Sequence, residues 1–261
     1  MVAENVLGEF LKARRARVPA ARADVPSATR RRVAGLRRDE LARLAGISEP
    51  YLTRLEQGVD QNPSPQVLQS LARALELDAD TSAYLYSLVT PTPERAADTA
   101  VSEDVHQLLD RWSHTPAYVR NRRFDVLAAN KWARALAPMY EPGHNLVRDV
   151  FLDPSTRDLF PDWPMIAAQT AAALRAEADL RDPRITQLIA ELETDADFRT
   201  LWAQHDARPA RDELKRFAHP LVGELAVRRQ ALTVGGAEDQ VIIVYQAAPG
   251  SSSEAALNRL L

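Results

Sequence analysis

The arginine side chains near the start of the sequence are the groups best suited to bind an anionic partner. Residues 12–43 contain 11 Lys and Arg against 3 Asp and Glu, a local charge of +8, although the whole chain carries −3. A guanidinium can pair with a phosphate oxygen or, through two parallel N–H groups, with the edge of guanine. Because 30 of the 33 basic residues are arginine, a run of arginine in this chain is also typical of a solvated surface.

The spacing of apolar residues after this basic run is more informative than the charge. Residues 37–45 predict a helix whose apolar side includes Leu41 and Leu44. Gly46 is expected to end that helix in a tight turn, and Ser48 can cap the next one. The sequence therefore predicts two short helices joined by a turn.

The second of these helices has its own inner side and its own end. It is expected to run to Gln57, with Leu52 and Leu55 in the core and Gly58 as the stop. Glu56 is expected to be structural rather than to face a partner. The remaining side of the helix is polar and available for contacts.

Three further amphipathic segments complete a five-helix unit. One covers 4–17, one follows the N-cap Ser64, and one lies near 80–89. Residues 91–102 have the composition of a linker. The sequence therefore predicts an all-α domain over 1–90.

The rest of the chain, 103–261, mixes strand and helix patterns. Two short strand-like runs within 117–129 precede a series of helices over 145–205, and three strand-like runs and a last helix follow. Asn130 is expected to cap the helix after the second strand. This order predicts an α+β domain with a mainly antiparallel sheet and helices on one face.

Patterns that would indicate catalysis or a metal site are missing from the sequence. The five histidines lack His-Glu-x-x-His spacing, and there is no cysteine, nucleophile elbow, phosphate-binding loop or dinucleotide glycine signature. The pair His205 and Asp206 is of the kind found in metal phosphohydrolases, but the other histidines show no supporting pattern. We therefore expect no catalytic residues, no metal site and no required cofactor.

The sequence also contains no segment typical of a membrane protein. Its longest strongly apolar run, VIIVY at 241–245, is far shorter than the roughly 20 residues of a membrane span. The first residues lack the apolar core of a signal peptide. A cytoplasmic, nucleoid-associated protein is the expectation.

The stretch ELARLAGIS followed by YLTRLEQG resembles the lambda-repressor-like, xenobiotic-response-element type of helix-turn-helix, and the resemblance covers about 36–88. In that family the helix after the turn enters the major groove of double-stranded DNA. The residues expected at the DNA are Arg30, Arg31, Arg32, Arg37, Arg38, Ser48, Glu49, Pro50, Tyr51, Thr53 and Arg54.

Different contacts are expected of different members of this set. Arg54 is the candidate for reading guanine, and Tyr51 for a phosphate or a thymine methyl group. Arg38 corresponds to a position that meets phosphate and sometimes a base edge, whereas Arg37 is as compatible with solvent as with phosphate. Residues 30–32 lie in a connection longer than that of phage repressors, and we hypothesise that they form a basic flap along the phosphates or in a minor groove.

Further blocks extend the resemblance over nearly the whole chain. PSPQVLQSLARALELD, TPAYVRNRRFDVLAANKWARAL, FLDPSTRDLFPDW, LWAQHD and KRFAHPLVGEL occur in the order seen in MmyB-like transcription regulators. This resemblance implies a PAS-like C-terminal domain whose cavity holds a small apolar ligand, with fatty acids as the expected class. It also implies a function in transcription regulation.

Alternation and helical spacing give candidate residues for such a ligand site. The candidates for an apolar lining are Phe124, Val126, Leu201, Trp202, Leu225, Val227 and Ile243. The candidates for a carboxylate anchor are His205, Arg208 and Arg228.

Two other interpretations of the second domain remain open. The apolar stripes can equally be ordinary core, and the domain can serve only dimerisation or partner binding in a ligand-independent DNA-binding repressor. A homodimer is expected in both cases, because one recognition helix covers only a few base pairs and twofold proteins match paired half-sites.

Overall fold

The computed structural model describes residues 5–19, 35–90, 100–210 and 213–261. The chain forms two compact units, Met1–Glu94 with Leu201–Arg208 and Arg95–Thr200 with Pro209–Leu261. Within the described ranges no helix is long and apolar enough to cross a membrane, and no group of three or more His, Cys, Asp or Glu could hold a metal ion.

The first unit contains the five predicted helices. They are α1 (Val6–Arg17), α2 (Arg38–Ala45), α3 (Glu49–Gln57), α4 (Pro65–Ala74) and α5 (Ala79–Ser87).

Local signals determine where these helices begin and end. The side chain of Ser48 accepts a hydrogen bond from the Tyr51 amide and that of Ser64 from the Val67 amide, as expected of N-caps. Gly46 ends α2 in the left-handed conformation, with φ at 65°. Because only glycine adopts this conformation at no steric cost, the tight turn between α2 and α3 depends on it.

The core of this unit differs from the prediction at one position of α2. Leu41 is fully buried, but Leu44 is 39% exposed and Ala42 is buried instead. At 3.6 residues per turn, Ala42 and Leu44 lie equally far from the centre of the buried arc, on its two margins, so the neighbouring helices decide which of the two is buried. The expectation that Leu44 faces inward was therefore wrong.

The second unit is built on a five-stranded antiparallel sheet. Its strands, in the order β2-β1-β5-β4-β3, are β1 (Ala117–Arg120), β2 (Val126–Ala129), β3 (Leu214–His219), β4 (Gly223–Val234) and β5 (Ala237–Gln246). The α+β class with an antiparallel sheet is confirmed.

Helices precede, interrupt and follow the strands. They are α6 (Glu103–Arg111), α7 (Lys131–Leu136), α8 (Leu146–Leu152), α9 (Ser155–Leu159), α10 (Trp163–Glu177), α11 (Pro183–Leu192), α12 (Ala196–Trp202) and α13 (Ser252–Leu257), with a 3-10 turn at Pro138–Tyr140.

One face of the sheet packs against α6. Val105 and Leu109 of α6 form a cluster with Val119 of β1 and with Ile242 and Val244 of β5. On the opposite face, Arg120 of β1 pairs with Glu177 of α10, and the Phe217 ring of β3 lies 5.1 Å from that of Phe160. Helices therefore cover parts of both faces, and the expectation of helices on one face was wrong. A strand such as β1, which is buried along its whole length, needs cover on both sides.

The opposite face, termed the inner face below, is defined by strand register. Directly paired residues of antiparallel strands point to the same side. The pairs Tyr118 with Ile243, Arg229 with Tyr245, Lys215 with Val227 and Phe217 with Leu225 all point to it, as does Arg120 with Val126.

Candidate functional site

The solvent-facing side of α3 is the first candidate surface. Leu52 and Leu55 are fully buried and fix the rotation of the helix about its axis. The opposite side brings together all six residues predicted on this helix or its cap. Ser48, Glu49, Pro50 and Arg54 are exposed, whereas Tyr51 and Thr53 are partly exposed.

A buried carboxylate connects this helix to its neighbours. Glu56 is fully buried and accepts hydrogen bonds from Arg15 of α1 and Arg38 of α2, at 2.7 Å and 2.6 Å from the two Nε atoms. The structural role predicted for Glu56 agrees with this burial. The Arg38 side chain remains 44% exposed, so its outer N–H groups can meet a phosphate while Nε is held.

The other predicted basic residues divide into two groups. Arg37 precedes α2 with an exposed side chain, and its backbone N–H donates to Glu40 at 2.7 Å. Arg30, Arg31 and Arg32 lie outside the described residues. Pro19 and Gly35, on either side of that stretch, pair as an antiparallel bridge.

Arg54 has two neighbours on this surface. Its Nε donates to Asp60 at 2.7 Å, and its guanidinium lies 5.4 Å from the centre of the Tyr51 ring. Asp60 is bound through Nε, and in the described part of the chain no hydrogen-bond acceptor is found for the Nη end of the guanidinium. This end is the part that can donate two parallel hydrogen bonds to guanine.

The inner face of the sheet is the second candidate surface. Of the predicted lining residues, Val126, Leu225, Val227 and Ile243 lie on it and are almost completely buried. Phe124 precedes β2 in a left-handed conformation, with φ at 67°, and its ring lies 4.3 Å from the Arg120 guanidinium. Five of the predicted lining residues therefore lie in the second unit, on or next to strands that are far apart in the sequence.

The remaining candidates lie elsewhere. Leu201, Trp202 and His205 belong to the first unit and are partly buried. Arg208 belongs to the same unit; it is exposed and lies 3.3 Å from Asp78. Arg228 is exposed on β4 and alternates with Val227, so it points away from the inner face.

Three cationic side chains on the inner face were not predicted. Arg120 and Arg229 are 3% and 4% exposed, and Lys215 is partly buried. Burial, followed by the charge of Arg229, lowers the pKa of Lys215 to about 8. Strand alternation contained a signal for one of them, because Arg229 has the same parity as Leu225 and Val227.

Two of these cations have partners near the end of α10 and at Ala210. Glu177 of α10 accepts from Arg120 Nη2 and from the Ala210 amide at 2.7 Å. Arg229 Nη1 donates to the Ala210 carbonyl at 3.4 Å. Within the described part of the chain, the Lys215 ammonium has neither a hydrogen bond nor an ion pair, and it lies 5.8 Å from the centre of the Phe160 ring.

Three tyrosines lie beside these cations. Tyr118 stacks on Tyr140 at 4.6 Å between ring centres, and the Tyr140 and Tyr245 hydroxyls are 2.9 Å apart. Burial raises the pKa of Tyr140 and Tyr245 well above the usual range, so both phenols stay neutral, and either hydroxyl can donate to the other. Cations and neutral hydroxyls among apolar side chains form an environment suited to an anionic group with an apolar body.

Comparisons with known proteins match both parts of the chain. The model of the MmyB-like transcription regulator ligand binding domain matches residues 101–261, and that of a helix-turn-helix domain matches residues 6–85. A search of curated proteins finds no significant match. Because the first of these models covers more than half of a chain that also has the helix-turn-helix and the antiparallel sheet, this DNA-binding protein belongs to the MmyB-like family of transcription regulators.

Proposed function

We propose that the chain is a sequence-specific regulator whose binding to double-stranded DNA is controlled by a fatty acid or another small apolar carboxylate. The observation that supports ligand control is the position of Arg120, Lys215 and Arg229 on a largely apolar sheet face. The helix-turn-helix supports the DNA-binding half of the proposal.

The ligand class follows from the chemistry of the inner face. Lys215 is a partly buried ammonium whose charged form is disfavoured by burial and by the neighbouring arginine. A carboxylate next to it would compensate both effects and would accept charge-assisted hydrogen bonds. Val227 and Ile243 offer contacts to an alkyl chain, which is the other half of a fatty acid.

We assign the carboxylate anchor to Lys215 and Arg229 in place of the residues expected from sequence. Arg228 points away from the inner face, and Arg208 forms an ion pair with Asp78 in the first unit. A charge-assisted hydrogen bond contributes about 1.5–3 kcal/mol, so loss of either anchor should weaken binding roughly tenfold or more.

Base reading is assigned to α3. Arg54 has the geometry to donate two hydrogen bonds to guanine, and Tyr51 lies beside it. Pro50 has no backbone N–H to donate, so discrimination at the start of the helix rests on side chains. Arg38 and Arg37 are proposed to bind phosphates, which contribute affinity and orientation rather than sequence preference.

A homodimer is part of the proposal. Two copies related by a twofold axis would place their α3 helices in half-sites about one helical turn, or roughly 34 Å, apart. Ligand would act by favouring one of two conformations of the dimer, since a ligand with equal affinity for both shifts nothing. Sedimentation of the protein with and without operator DNA measures the stoichiometry directly.

Native mass spectrometry of the purified protein is the first experiment. We expect a co-purifying mass in the fatty-acid range that is released on denaturation. Operator binding is then measured while dodecanoate is added, with dodecanol as the neutral control. Repeated absence of a ligand, together with no effect of fatty acids on operator binding, would favour the ligand-independent repressor.

Adjacent residues of β4 provide a matched pair of variants. Arg229→Met and Arg228→Met remove the same side chain from opposite faces of one strand. Of these two variants, we expect only Arg229→Met to weaken dodecanoate binding. Lys215→Met should also weaken it, without removing a fully buried arginine. Equal binding by all three variants would refute the anchor.

A further inference from the structure

The ion pair between Arg54 and Asp60 has a geometry that bears on how the protein reads DNA. Asp60 accepts from Arg54 Nε at 2.7 Å. The two side chains are 49% and 37% exposed. An exposed pair of this kind contributes little to folding. Its effect on stability is therefore a weak reason for it to be present.

The backbone holds Asp60 in this position. Gly58 ends α3 with φ at 75°, and the amides of Val59 and Asp60 donate to the Arg54 carbonyl at 2.9 Å and 3.3 Å. This Schellman-type end fixes the chain that follows the helix against the residue whose side chain Asp60 binds. The carboxylate is thus attached to Arg54 through both main chain and side chain.

The contacts divide the guanidinium into a held part and an available part. Asp60 occupies Nε, and the Tyr51 ring lies beside the group at 5.4 Å. In the described part of the chain, Nη1 and Nη2 have no hydrogen-bond acceptor. Two parallel N–H groups at one end of a guanidinium match O6 and N7 of guanine.

A carboxylate on a DNA-facing surface also has a cost. It repels phosphates, so an aspartate beside the recognition helix weakens binding to every sequence. Such a residue is expected there when it restricts a neighbouring side chain that would otherwise rotate among many conformers. Arginine loses considerable rotamer freedom when it is held, and a preformed contact reduces the loss on binding.

We propose that Asp60 is the positioning residue that presents the Nη end of Arg54 to a guanine in each operator half-site. This inference rests on the proposed function, in which Arg54 reads a base. It adds that specificity depends on an acidic residue that touches no base itself.

The experiment begins with selection of oligonucleotides by the wild-type full-length protein. Fluorescence anisotropy at one fixed salt concentration then measures three duplexes: the selected site, the same site with its Arg54-dependent guanine replaced, and unrelated DNA. The variants are Arg54→Ala, Asp60→Asn and the double variant. Asp39→Asn is the charge-matched control, because Asp39 is an exposed aspartate of the same unit outside the Arg54 pair.

Arg54→Ala should lose the preference for guanine, which a bidentate contact sets at roughly 10- to 100-fold. Asp60→Asn should reduce that preference at least about threefold while unrelated DNA binds as well as before or better, because a negative charge is gone. Asp60→Asn should have no effect on the preference in the Arg54→Ala background. Asp39→Asn should leave the preference unchanged.

Two failures are distinguishable. If Arg54→Ala keeps the preference, the proposed base reading by Arg54 is wrong. If Arg54→Ala loses it but Asp60→Asn keeps it and binds all duplexes more tightly by the same factor, Asp60 only repels DNA and the positioning role is refuted. Circular dichroism melting of each variant confirms folding, which an exposed pair should hardly affect.

Discussion

Arg15 holds both carboxylate oxygens of the fully buried Glu56, with Nε 2.7 Å from Oε1 and Nη2 3.2 Å from Oε2. Arg15 also donates from Nη1 to the Leu36 carbonyl at 2.9 Å. One guanidinium therefore connects α1 with the end of α3 and with the chain that enters α2. This pair anchors the buried side of α3 to α1.

Glu56→Ala should destabilise the first unit by about 3 kcal/mol, because it leaves a largely buried Arg15 without its counter-ion. Amide hydrogen exchange of peptides from α1 to α3 measures this locally, without assuming that the whole chain unfolds in one step. Glu191→Gln, which removes an exposed pair with Arg148, is the control and should cost about 1 kcal/mol or less. Unchanged protection after Glu56→Ala would contradict the role assigned to the pair.

Asn130→Ala should destabilise the second unit by about 2–4 kcal/mol, since buried polar groups would lose their partners. Its Oδ1 accepts from the amides of Ala117 and Ala133, and its Nδ2 donates to the carbonyls of Leu109 and Thr115. Thermal unfolding is the measurement, with the exposed Asn258→Ala as control. Asn130→Asp should also destabilise, because a carboxylate cannot donate to the two carbonyls; full stability of Asn130→Asp would show that only the cap matters.

Binding of dodecanoate should weaken as the pH rises above about 8. The pKa of Lys215 is lowered to about 8 by burial and by Arg229, so the ammonium is present at pH 7 and lost at pH 9. A bound carboxylate favours the protonated form, and the complex therefore holds more protons than the free protein in this range. Calorimetric titration between pH 7 and pH 9.5 measures the change. Lys215→Met should bind more weakly at pH 7 and show a flatter profile.

The same group predicts the opposite trend for the ligand-free protein. The folded-state pKa of Lys215 lies below its ordinary value of 10.5, so between the two the unfolded chain binds more protons. The contribution of Lys215 to stability therefore rises as the pH increases from about 8. Comparing wild type with Lys215→Met over this range isolates the contribution from other titrating groups; identical pH profiles would contradict the lowered pKa.

Replacing Arg30, Arg31 and Arg32 with glutamine should reduce the slope of log K for DNA binding against log salt by about two to three units. Each arginine that neutralises a phosphate releases about one counter-ion, and three are removed. Sequence preference should change little, because phosphate contacts carry no base information. Glutamine at Arg181, Arg184 and Arg259, which are exposed in the second unit, is the control. An unchanged slope would refute the basic flap.

The sequence by itself determined the first unit closely. Ser48, Gly46 and Gly58 act on backbone groups within a few residues of themselves, and Leu52 and Leu55 define the inner side of α3 by spacing alone. The exposure of Arg54 follows from the same periodicity. The prediction that Leu44 is buried was wrong because the neighbouring helices, and not the helical period, decide how wide the buried arc of a helix is.

The second unit depended on tertiary structure because its contacts join distant segments. Arg120 meets Glu177 of α10, and Lys215 lies opposite Val227 on the next strand. A shift of one residue in register moves every side chain of a strand to the other face. Alternation already groups Arg229 with Leu225 and Val227, but only the strand pairing shows that Arg229 lies beside Tyr245 of β5. The proposed ligand anchor therefore moves from the exposed Arg228 to the buried Arg229.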